Sequence, residues 1–147
     1  MKFFTTLSLA TAASAATLEH RQAPSKQIGS FSASCIPHSA FCNYQFTVKP
    51  DPSLPPSHCN GTYIGSGTLP AVGDGKCADN AAYTWGIVST QDGGYRFGVW
   101  YPLNSRSNIT YCHQITPDEI EVVDGGSVQT AHYIGPTEFD ATVDACF

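Results

Sequence analysis

Positive charge is what this sequence has least of. Seven Lys and Arg stand against twelve Asp and Glu in 147 residues, a formal net charge of −5. A nucleic-acid backbone is held by clustered Lys and Arg, and here they are few and scattered, which excludes a polynucleotide partner. No polybasic segment marks a membrane surface, and no apolar run is long enough to span a bilayer. Neither C-x-x-C nor an H-x-H or H-x-x-x-H spacing occurs, so no redox motif, zinc knuckle or metal centre is expected, and no cofactor. G-x-S-x-G is absent as well, and with it the usual strand-to-helix nucleophile turn. No stretch shows the 3.6-residue apolar period of an amphipathic helix three turns long.

The N-terminus addresses the chain to the secretory route. Lys2 precedes a modest apolar stretch, Phe3 to Ala12, and Ala13-Ser14-Ala15 has the small-x-small form that signal peptidase accepts. The expected organisation is a signal peptide over 1–15, a short pro-segment over 16–21 and one secreted β domain over 22–147. In that mature chain Lys26, Lys49, Lys76, Arg96 and Arg106 are the only basic residues.

Six cysteines remain in it: Cys35, Cys42, Cys59, Cys77, Cys112 and Cys146. In an oxidising compartment an even number reads as three disulfides, with fifteen pairings open. Cys59 and Cys77 flank a Gly-rich loop over 66–79, so they are paired first. Such a bridge constrains roughly 3 kcal/mol of loop entropy. Cys42 shares the apolar phase of its strand and is expected to bond inward to another strand, with Cys35 bridging elsewhere. Asn60-Gly61-Thr62 and Asn108-Ile109-Thr110 are glycosylation sequons, making Asn60 and Asn108 candidate acceptors.

Period-two alternation dominates the rest. Cys42, Tyr44, Phe46 and Val48 share one face. Tyr83, Trp85 and Ile87 share another, and after Gln91-Asp92-Gly93-Gly94 so do Tyr95, Phe97, Val99 and Tyr101. Glycine accepts the positive φ of tight turns, so residues 83–101 read as a hairpin. Ile120 and Val122, then Asp124-Gly125-Gly126, then Val128, Thr130, His132 and Ile134 repeat the pattern. Residues 109–115 and 139–145 are further strands, and 29–36 is a weaker one. Residues 49–57 form a proline-rich loop, since proline cannot donate to a ladder. Pro37-His38-Ser39 is the turn of a first hairpin. The expectation is an all-β fold: one antiparallel β-barrel or β-sandwich of about eight strands, stapled by disulfides.

Candidate chemistry is sparse. His113 and His132 both fall on the apolar phase of their strands, and with Glu119 they form a candidate acid–base set for a small hydrolase acting on RNA or glycans. The plainer reading of these histidines is structural. Trp100 falls on the solvent-facing phase near Arg96, and that pairing is a binding hint.

The run Phe31 to Ser39 (FSASCIPHS), the run Cys42 to Val48 (CNYQFTV) and the hairpin Asp92 to Phe97 (DGGYRF) followed by Asn104 to Asn108 resemble small secreted proteins of filamentous fungi, the Alternaria major-allergen-like family. That resemblance implies a compact β-barrel with structural disulfides, no catalytic machinery and no metal. It also implies an allergen- or elicitor-like effector that binds a host (plant) protein or a small hydrophobic ligand. The expected function is therefore a secreted, non-catalytic binding protein, with the histidine–carboxylate hydrolase as the alternative.

Overall fold

The computed structural model describes residues 25–147 except 50, 52 and 127. The signal segment and pro-segment read from the sequence lie outside these residues. Ten strands follow in order: β1 (Ser25–Cys35), β2 (Phe41–Lys49), β3 (Ser57–Ile64), β4 (Val72–Lys76), β5 (Thr84–Ser89), β6 (Tyr95–Asn104), β7 (Ser107–Ile115), β8 (Ile120–Asp124), β9 (Gln129–Tyr133) and β10 (Phe139–Val143). A 3-10 turn, Pro117–Glu119, precedes β8. Among the described residues no helix is long and apolar enough to cross a membrane.

Eight strands form a nearly closed antiparallel barrel in the order β3-β2-β1-β10-β7-β6-β5-β4. The seam between β4 and β3 is joined by one bridge, Cys59 opposite Cys77, and those two cysteines form a disulfide. The pairing expected across the Gly-rich loop is therefore present. That loop itself is corrected: it contains β4, and β3 precedes it. Cys112 is bonded to Cys146. Cys35 and Cys42 face each other across the first hairpin and are bonded to one another, which corrects the expectation that Cys35 bridges elsewhere.

The two glycine-rich hairpins form as the alternation requires. Thr90 N–H donates to Gly94 O at 2.9 Å in the first, and Gly125 N–H to Val128 O at 2.9 Å in the second. The Pro37-His38-Ser39 turn is closed by Ile36 N–H donating to Phe41 O at 2.9 Å.

β1 carries an irregularity that the core depends on. Ile28 faces inward, but the next inward residue is Phe31, three positions on, followed by Ala33 and Cys35. A bulge between Gly29 and Ser32, with Ser30 at φ 51°, inserts the residue that shifts the phase. Before the bulge β1 pairs with β10, and beyond it Ser34 pairs with His132 of β9. Phe31, delivered inward by the bulge, becomes the hub of the core. Its ring lies 5.2 Å from Phe97, 4.9 Å from Tyr133 and 5.3 Å from Phe139, all edge-on. Phe46 extends the cluster to Trp85 at 5.3 Å and Phe97 at 5.0 Å. Edge-to-face rings of this kind add roughly 1 kcal/mol per pair beyond area burial. The lumen is thus filled largely by aromatic side chains.

Candidate functional site

The outer face of β5, β6 and β7 is built in three cross-strand rows. Val88, Arg96 and Gln114 form one, Gly86, Gly98 and Cys112 the next, and Thr84, Trp100 and Thr110 the third. The middle row is low because two of its members have no side chain. Cys112 anchors Cys146 by a disulfide, and this lays residues 146 and 147 across the depression. A Cβ on Gly98 would stand 2.7 Å from Cys146 Sγ and 2.8 Å from the Phe147 ring. On Gly86 it would meet the Trp100 ring at 2.9 Å and Val72 O at 2.6 Å. The paired glycines are therefore what lets Trp100 and Phe147 approach the sheet closely, with ring centroids 5.3 Å apart and planes tilted by 49°.

Beside them is an apolar recess of about 290 Å³, lined by Val72, Gly73, Val88, Trp100 and Phe147. Trp100 is half-buried there, whereas Phe147 is 59% exposed. Val88 also borders a larger open cleft of about 510 Å³, whose polar wall includes Arg96, Asp92 and Gln114. Arg96 Nε donates to Gln114 Oε1 at 3.5 Å. Thr90 Oγ1 and Gly94 N–H donate to Asp92 Oδ1 and, with the nearby Arg96 charge, hold that carboxyl below its usual range. Arg96 and Trp100, singled out from the sequence, thus share one outer face. Phe147 completes the recess, and only the Cys112–Cys146 pairing could have signalled its place there.

The candidate acid–base residues are arranged differently. His113 points inward from β7, and its ring stacks on Phe139 at 3.9 Å. Burial pushes its proton affinity down, while hydrogen bonding to the Asp140 backbone and the Glu119 charge act the other way. Glu119 Oε2 accepts from Thr116 N–H at 2.7 Å and Thr116 Oγ1 at 3.0 Å, a capping interaction for the 3-10 turn. Its charge also adds to burial in pushing Tyr133 up to about 12. His113 and Glu119 are therefore brought within electrostatic reach. His132 is not part of that group. Ala131 and Tyr133 are the β9 residues packed in or against the core, so His132 and Thr130 lie on the opposite face, joined at 3.1 Å between Nε2 and Oγ1. The phase read for His132 is one residue out, and a one-residue slip exchanges the faces of a strand.

A further pair was not legible from sequence. His58 Nδ1 lies 2.9 Å from Asp79 Oδ2, and the same carboxylate accepts the His58 backbone N–H at 2.8 and 3.0 Å. Contact with the His58 side chain is the main cause holding Asp79 below the usual carboxylate range. The pair is exposed and flanks the Cys59–Cys77 bridge, so it supports the seam. Asn60 and Asn108 are both exposed. Among the described residues no group of three or more His, Cys, Asp or Glu could hold a metal ion. No protein-family model matches the chain, and neither does any curated protein sequence.

Proposed function

We propose that this protein is a secreted, non-catalytic, elicitor-like recognition module. It binds a host protein or a small apolar ligand through the recess beside Trp100 and Phe147. One observation carries the reading: two aromatic rings pack together over a glycine pair at the surface, Phe147 placed there by the Cys112–Cys146 disulfide, with a cationic side chain in the adjoining cleft. Aromatic residues and arginine dominate binding energy at interfaces, and a partner that covers such rings excludes water from them. A filled core and three disulfides supply rigidity, which lowers the ordering cost of association. The resemblance to the allergen-like family points to the same class of activity. Infiltrating purified protein into leaf tissue tests it. The wild type is expected to trigger an immune response that Trp100→Ala lacks, and equal responses from the two would overturn the assignment.

The second reading, a small hydrolase, draws on the electrostatic proximity of Glu119 to His113. Against it, a general base must reach the proton it removes, and one face of the partly buried His113 ring is covered by Phe139. A screen on RNA and polysaccharides, repeated with His113→Ala, separates the two readings.

A further inference from the structure

The β8–β9 hairpin packs on the barrel through Ala131, Tyr133 and Ile120, and the outer edge of β8 is unpaired among the described residues. β8 pairs only with β9 among the described residues, and β9 touches β1 in a single ladder step, Ser34 opposite His132. Two hydrogen bonds fix which backbone groups of β8 face outward. Gly125 N–H donates to Val128 O at one end, and Ile134 N–H to Glu119 O at the other. Hydrogen-bonded and non-hydrogen-bonded pairs alternate along an antiparallel ladder. Between those ends, Glu121–His132 and Val123–Thr130 are therefore the bonded pairs. Ile120, Val122 and Asp124 fall in the non-bonded pairs, so their backbone groups point away from β9. Ile120 N–H is taken by Pro117 O. Ile120 C=O, both groups of Val122 and Asp124 N–H remain as a template for another strand.

Natural edges are usually blunted by charge, proline or a covering element; this one has no lysine or proline, no covering element among the described residues, and only acidic charge, Glu121 and Asp124. Val122 is 53% exposed and Val123 45%. The charge on this part of the chain has one sign. Asp118, Glu119, Glu121, Asp124, Glu138, Asp140 and Asp144 all follow Arg106, and no Lys or Arg does. A second copy added to this edge would bring one acidic strand beside another.

We propose that β8 is a docking edge for an extended, cationic segment of a partner protein, which adds as an antiparallel strand. Main-chain bonds to Ile120, Val122 and Asp124 supply register, the valines supply apolar contact, and Glu121 on one face and Asp124 on the other select lysine or arginine at positions three residues apart. This edge is separate from the Trp100 recess.

The test is a titration of the full protein with a fluorescein-labelled extended peptide carrying a Lys-Val-Val-Lys segment, which sets a lysine opposite Glu121 and another opposite Asp124, followed by anisotropy. A peptide with Glu in place of Lys is the control. The Lys peptide is expected to bind, and to weaken by about tenfold between low and high salt, because exposed charge pairs are screened. Val122→Pro removes one outward N–H without touching the β8–β9 ladder, so it is expected to abolish binding while leaving the melting temperature in place. Glu121→Lys, which keeps every backbone group, is expected to weaken it also. Equal binding of the two peptides, no binding, or binding indifferent to both substitutions would each overturn the proposal. Concentration-dependent dimerisation lost in Val122→Pro would overturn it in favour of a second copy. Trp100→Ala is expected to leave peptide binding unchanged, which separates this edge from the recess.

Discussion

Replacing Cys59 and Cys77 together by alanine opens the barrel where only one bridge joins it. The two are 18 residues apart, and the chain-entropy relation gives about 3.2 kcal/mol for that loop at 25 °C. The same relation gives about 3.8 kcal/mol for Cys112–Cys146, 34 residues apart, and about 2.4 kcal/mol for Cys35–Cys42, 7 apart. At about 4 °C per kcal/mol for a chain of this size, the Cys59/Cys77 variant is expected to melt about 13 °C lower. Topology adds a spatial signature that entropy alone does not. Without the bridge, Ala78 N–H to His58 O and the exposed His58–Asp79 pair are what remain at that end of the seam. Calorimetry measures the first effect and amide exchange the second, with β3 and β4 exchanging faster while β6 and β7 keep their protection. A loss below about 1 kcal/mol, or a uniform rise in exchange across all strands, would show that the seam is closed by something other than this bridge.

Three further outcomes follow from the packing and the titrating groups. Phe46→Ala removes a ring packed edge-on against Trp85 and Phe97, and is expected to cost about 3–5 kcal/mol in denaturant unfolding. Gly98→Val pushes a side chain into Cys146 and Phe147, so Phe147 must lift and acrylamide quenching of Trp100 must increase. The quenching is legible because Trp85, the only other tryptophan, is fully buried. Burial lowers the proton affinity of His113 below its ordinary 6.5, so folding favours the neutral ring. Its stabilising share is therefore complete above 6.5 and falls away as pH drops from there through the folded value. Melting temperatures between pH 8 and 5 should show that decline, and His113→Phe should flatten it.

The strands that sequence alternation locates well are those whose inward residues are large and apolar. β5 and β6 around Asp92-Gly93-Gly94, and β2 from Cys42 to Val48, are of this kind. β3 and β4 escape because their inward positions do not look apolar. Ser57 and Cys59 are buried in β3, and in β4 Gly75 is buried because a Cβ there would stand 2.2 Å from the Trp85 indole. A buried glycine reads as a loop until its neighbour is known. The β9 phase is ambiguous for a related reason: alanine and tyrosine face the core, while isoleucine at 134 lies 56% exposed. At the candidate site, Arg96 and Trp100 were legible because their phase opposes that of Phe97 and Val99. Phe147 was not, since its position depends on a disulfide to a strand 34 residues earlier.

The most direct measurement of the central claim uses an anionic aromatic probe, anilinonaphthalene sulfonate, whose rings suit the recess and whose sulfonate suits Arg96. The account predicts saturable binding to the folded protein with energy transfer from Trp100. Phe147→Ala is expected to abolish it, Arg96→Ala to weaken it, and His113→Ala to leave it unchanged. Binding that survives Phe147→Ala, or that vanishes with His113→Ala instead, would contradict the assignment of recognition to the outer face.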